Sequence, residues 1–102
     1  MEQISAIDIN KYIGDTSVII VDVRNRESYM LRHIPGAINI SMRDMERGNY
    51  YLDKNKKIIT YCDRGGQGII ACRLLEERGY RAANVVGGMN ALKGIDIKSS
   101  WL

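Results

Sequence analysis

The sequence predicts an α/β fold, a small parallel β-sheet flanked by helices on both faces, as one domain spanning residues 1–102. Two observations carry that prediction. Val18-Ile19-Ile20-Val21 and Ile58-Ile59-Thr60-Tyr61 are short continuous apolar or β-branched runs, the pattern of parallel strands buried on both faces. Helical patterns alternate with them, and right-handed crossovers then place helices on both sides of the sheet, with ligands at the carboxyl ends of the strands.

The elements follow in chain order. Ser5 is placed to cap a helix with Asp8 three residues on, and Gly14 follows its last apolar pair, Tyr12-Ile13. After the strand at Val18, a second helix is predicted from Arg26 to Arg32, and Pro35 sits in a compact turn. Ile38-Asn39-Ile40 and Asn84-Val85-Val86 are shorter strand candidates bounded by Gly or Pro. The clearest helix runs from Gly68 to Arg78, where Ala71, Leu74, Leu75 and Arg78 recur at helical spacing and Gly79 supplies the stop.

Composition narrows the function classes. Fifteen Lys+Arg against twelve Asp+Glu give a net charge of +3, interspersed along the chain, which favours small anions modestly. Neither a basic-aromatic cluster nor a long basic run points to nucleic acid, and Lys54-Asn55-Lys56-Lys57 reads as a solvated turn. Met1-Glu2-Gln3-Ile4-Ser5 lacks a basic segment followed by an apolar stretch, and no apolar run is long enough for a bilayer, so a soluble, cytoplasmic protein is expected. Cys62 and Cys72 lie ten positions apart without the paired spacing of a zinc site or disulfide framework, so reduced thiols are expected.

One segment carries chemistry. The strand ending at Tyr61 runs into Cys62-Asp63-Arg64-Gly65-Gly66-Gln67-Gly68, which runs into the clearest helix. Three glycines in seven residues let consecutive N–H groups converge on one point above a helix N-terminus, where an anion binds. A thiolate is such an anion, favoured by the amides, the helix dipole and Arg64. By itself the loop also fits a plainer reading, with Cys62 a small core residue at a strand end and the glycines a tight turn. It matches neither common glycine-rich nucleotide motif.

Taken with three other segments, this loop resembles the single-domain rhodaneses over nearly the whole chain. The matching pieces are Val21-Asp22-Val23-Arg24, then Glu27-Ser28-Tyr29 on to His33-Ile34-Pro35-Gly36-Ala37-Ile38-Asn39-Ile40, then Tyr61-Cys62-Asp63-Arg64-Gly65-Gly66, then Gly79-Tyr80 on to Val85-Val86-Gly87-Gly88-Met89. The resemblance implies a sulfurtransferase with no cofactor or metal. In it Cys62 attacks a sulfane-sulfur donor such as thiosulfate, holds the outer sulfur as a persulfide, and passes it to a thiol, a protein acceptor or another nucleophile. Asp63, Arg64, Gly65, Gly66, Gln67 and Gly68 become the substrate-binding loop. Relatives commonly place Ser, Thr or Arg where this chain has Gln67 and Gly68, so hydroxyl or guanidinium donors are replaced by the Gln67 side-chain amide and the Gly68 backbone N–H, and the resemblance does not carry over the choice of donor.

Other residues have plainer roles. Arg64 is placed in sequence to meet the sulfonate of thiosulfate, and equally to be solvated. Asp22 and Arg24 follow a buried strand and are expected to bond each other, loop amides or the next helix, as scaffold beside the site. His33 reads as structural rather than as a general base, Cys72 as core, and Trp101 as a terminal anchor. Two alternatives compete with an enzyme acting on free donors: a sulfur-relay or sensing module serving one protein partner, and a phosphatase or arsenate reductase. Against the latter, phosphatases sharing the fold clamp phosphate with an arginine six positions after the cysteine, and here that position is Gly68.

Overall fold

A computed structural model describes residues 1–97, so Trp101 lies outside the described residues. Five parallel strands, β1 (Glu2–Ile4), β2 (Val18–Asp22), β3 (Ile38–Asn39), β4 (Lys57–Tyr61) and β5 (Ala82–Val85), form one sheet in the order β1-β5-β4-β2-β3. The helices are α1 (Arg26–Leu31), α2 (Met42–Arg47), α3 (Gly66–Glu77) and α4 (Gly88–Leu92), with a 3₁₀ helix over Ala6–Lys11. The predicted α/β architecture is present, with helices on both faces. No helix among the described residues is long and apolar enough to cross a membrane.

The continuous apolar runs become the two central strands because side chains of a strand alternate between faces, and here both faces are covered. Ile59 and Tyr61 of β4 join Ile20, Val85, Ile9, Met89 and Leu92 in one core. Ile58 and Cys62 point to the other side, where Val21 packs with Met45, Ala71, Cys72 and Leu75 of α2 and α3. Register is set along β2 and β4, with Ile20 opposite Ile59 and Asp22 opposite Tyr61.

The structure departs from expectation in several places. Ser5 occupies the N-cap of the 3₁₀ helix but makes no side-chain capping bond; its backbone carbonyl accepts from the Asp8 amide at 2.9 Å, closing a three-residue turn instead. The helix α2 was absent from the sequence expectation, although Ser41 caps it by accepting from the Asp44 amide and Gly48 ends it at φ 70°. The edge strand β1 was absent too, as was α4, whose start at Gly87-Gly88 looks like a turn in sequence. Lys57 is no turn residue: it opens β4 and pairs with Glu2.

Candidate functional site

At the carboxyl end of β4 the chain leaves the sheet at Cys62 and re-enters regular structure four residues later at α3. Gly65, at φ 108°, makes that short return possible, since a side chain there is strained. Its amide N–H donates to the Cys62 sulfur at 3.0 Å. The sulfur thus sits beside the first turn of α3, in a cysteine only 3% exposed. An open cleft of about 370 Å³ lined by Cys62, Asp63, Arg64, Gly66 and Gln67 leads to it.

The loop is held from three sides. From below, the Thr60 hydroxyl donates to the Gly68 carbonyl at 2.9 Å, tying the first turn of α3 to β4. Gly68 itself is buried, and a Cβ at this position would collide with the Asn84 side-chain oxygen, so the missing side chain is a packing requirement. From the far side, α4 donates the Met89 amide to the Cys62 carbonyl at 2.7 Å and the Asn90 amide to the Asp63 carbonyl at 2.8 Å. With trans peptides, the N–H groups of Asp63 and Arg64 consequently point away from α4. Gly88 permits this approach: its φ is 56°, and a Cβ there would collide with the Cys62 carbonyl.

The third support is ionic. Asp22, fully buried at the end of β2, accepts from the Arg24 amide at 2.9 Å and from its guanidinium at 2.8 Å through Nη2. The same guanidinium donates to the carbonyl of Arg32, after α1, and reaches the Asp63 carboxylate at 3.4 Å. It also lies over the Tyr61 ring, 5.9 Å from the centroid. Asp22 and Arg24 therefore bond each other as expected, and Arg24 links the strand end to the loop. Tyr61 accepts the Ile34 amide on its hydroxyl, and burial, with Asp22 nearby, pushes that phenol far above its ordinary range.

Arg64 and Gln67 are exposed at the cleft. His33 bonds the Tyr29 carbonyl at 2.8 Å and stacks on the Tyr29 ring at 3.9 Å. Cys72 is buried in α3, and burial with Glu76 nearby pushes its thiol up to about 11. What the residue-by-residue reading lacked is α4 as a wall of the site; the Gly87-Gly88 pair was the available signal, since two consecutive glycines permit close backbone approach.

A family model for the rhodanese-like domain matches residues 5–94. The chain belongs to the rhodanese-like family. Within it, the chain is 33% identical over 95 residues to YtwF of Bacillus subtilis, covering 92% of each protein. To the thiosulfate sulfurtransferase GlpE of Coxiella burnetii it is 28% identical over 93 residues, covering 90% of this chain and 87% of that one. A solved rhodanese-like domain protein from Staphylococcus aureus superposes with a TM-score of 0.80 at 33% identity, covering 97% of this chain and 100% of the other. These rhodanese relatives support sulfur transfer as the general chemistry of the chain.

Proposed function

We propose that this rhodanese-like domain transfers sulfane sulfur through a persulfide on Cys62. The observation that carries the reading is that Cys62 lines an open cleft and its sulfur accepts the Gly65 amide beside the start of α3. The Gly65 amide and the start of α3 stabilise negative charge on sulfur, whether thiolate or persulfide.

In the first step the Cys62 thiolate attacks the outer sulfur of thiosulfate; the sulfur–sulfur bond breaks and its electron pair leaves with sulfite. In the second an acceptor attacks the outer sulfur of the persulfide, and the electron pair returns to the Cys62 sulfur. Arg64 and Gln67, exposed at the cleft, receive the anionic end of the donor. A relative named for thiosulfate use supports that donor. Against a phosphatase reading, the sixth position after Cys62 is a buried glycine with no room for a side chain.

Intact-mass measurement after treatment with thiosulfate or polysulfide tests the proposal. Wild type and Cys72→Ala gain one reducible sulfur, whereas Cys62→Ser, folded by circular dichroism, gains none. A folded Cys62→Ser protein that still takes up sulfur places the chemistry on the wrong thiol.

A further inference from the structure

Among the described residues four polar or charged side chains are buried: Asp22 and Arg24, which bond each other, and Thr60 and Asn84. Register places Thr60 and Asn84 beside each other on β4 and β5, both fully buried under the first turn of α3. Two polar side chains inside a covered sheet carry a burial cost that an apolar pair would avoid. Their contacts account for them.

Thr60 pulls. Its hydroxyl has one hydrogen to give, and the Gly68 carbonyl is the nearest acceptor at 2.9 Å, ahead of Asn84 Oδ1 at 3.2 Å and the Ala83 carbonyl at 3.4 Å. Donation to Gly68 draws α3 toward the sheet. Asn84 stops that approach. The bond its amide donates, to the carbonyl of the next residue Val85, is long at 3.3 Å, so bulk is the larger part of what this side chain supplies. Its oxygen lies against the bare face of Gly68, where a Cβ would collide with it. Close-packed atoms of this kind resist any nearer approach.

One attraction and one steric stop fix a distance, and the sulfur inherits it. Cys62 follows Thr60 by two residues, and Gly65, whose amide donates to the sulfur at 3.0 Å, precedes Gly68 by three. Short lengths of chain therefore tie both ends of the sulfur–amide contact to the Thr60–Gly68 bond. Resting on the proposed function, we infer that Thr60 and Asn84 are positioning residues for sulfur transfer: together they set the separation of α3 from β4 at which the Gly65 amide meets the Cys62 sulfur. Both are buried and neither touches the donor.

Two variants separate the bond from the shape: Thr60→Val keeps the volume and loses the hydroxyl, and Thr60→Ser keeps the hydroxyl. Proton–nitrogen NMR of the unloaded protein reads the Gly65 amide. In Thr60→Val its proton exchanges with solvent roughly tenfold faster, the scale of one hydrogen bond; in Thr60→Ser it stays within about threefold of wild type. Single-turnover loading from thiosulfate gives the second readout. The rate at saturating donor falls roughly tenfold in Thr60→Val, while the half-saturating concentration, which Arg64 governs, changes less than about threefold. Asn84 and Gly68 form a separate cycle. Gly68→Ala brings a collision and Asn84→Ala removes the stop, so each loads more slowly. In the double variant the new methyl takes the vacated place, with Tyr61 Cα at 3.4 Å as an ordinary contact, and loading rises above that of either single variant. Circular dichroism confirms that each protein is folded, and either set of variants decides where the other does not fold. An unchanged Gly65 amide and loading rate in folded Thr60→Val, a Thr60→Ser that fails to restore them, or losses that add across Gly68 and Asn84 overturn the inference. A wild-type protein that never loads overturns the persulfide reading instead, and the Gly65 amide still tests the spacing with no sulfur donor present.

Discussion

The Met89 amide lies 2.7 Å from the Cys62 carbonyl, so the residue bearing the candidate nucleophile is anchored by a helix that begins 26 residues later, at Gly88. Gly88→Ala adds a Cβ against that carbonyl at φ 56°, and backbone must move. The variant should lose at least about 2 kcal/mol of stability, from strained backbone and overpacking together. At temperatures where it is still folded, its sulfur-loading rate should fall as well, because Cys62 shifts. Thermal unfolding and single-turnover loading measure the two effects; unchanged stability and rate would show that the contact does not constrain the loop.

Arg24 is the only cation within bonding distance of the buried Asp22 among the described residues. Arg24→Met strands the carboxylate and should cost about 3–5 kcal/mol by urea denaturation. Asp22→Asn combined with Arg24→Met should cost less than the two single changes added together, since the pair is coupled. Additive losses would mean that the two side chains contribute independently.

Arg64 is exposed at the cleft, and only an anionic donor gives it a partner. Arg64→Ala should weaken thiosulfate use about tenfold, the scale of one charge-assisted contact, while a neutral persulfide donor is used almost as before. Gln67→Arg should do the reverse and tighten anion binding. Steady-state KM values with both donors decide it, and equal losses with both donors in Arg64→Ala contradict the assignment.

Cys72 supplies a pH dependence. Its buried thiol titrates near 11 in the folded protein, above the ordinary thiol range, so between about pH 9 and 11 the unfolded chain releases a proton that the folded chain keeps. The unfolded state then binds fewer protons, and stability falls as pH rises through that window. Below it the contribution is fully present. Cys72→Ala, which should cost about 1 kcal/mol at neutral pH as a small core truncation, removes this part of the decline. Urea midpoints of the two proteins at pH 8 and pH 10.5 should therefore converge; a constant gap shows that Cys72 does not titrate there.

Much of this was legible in the residues. Buried parallel strands need unbroken apolar runs, so Val18–Val21 and Ile58–Tyr61 declared themselves, and a long helix with Gly79 at its end did the same. Ser41, Asp44 and Gly48 mark the two ends of α2, but a six-residue helix has too little periodicity to declare itself in sequence. The strand β1 is different: three residues with Ile4 alone buried give no period, and they become a strand only because the free edge of β5 accepts them.

The sequence by itself determined the fold class and singled out Cys62 and its glycine loop, because these depend on neighbours along the chain: burial pattern, permitted backbone angles and residue chemistry. The tertiary structure decided what surrounds the sulfur. Arg24 turns to both Asp22 and Asp63, Gly68 is small because Asn84 lies against it, and α4 closes over the Cys62 carbonyl. Each of these joins residues that are distant in the chain or whose orientation follows from packing, and hydrogen bonds and steric exclusion act across space without leaving a local pattern to read.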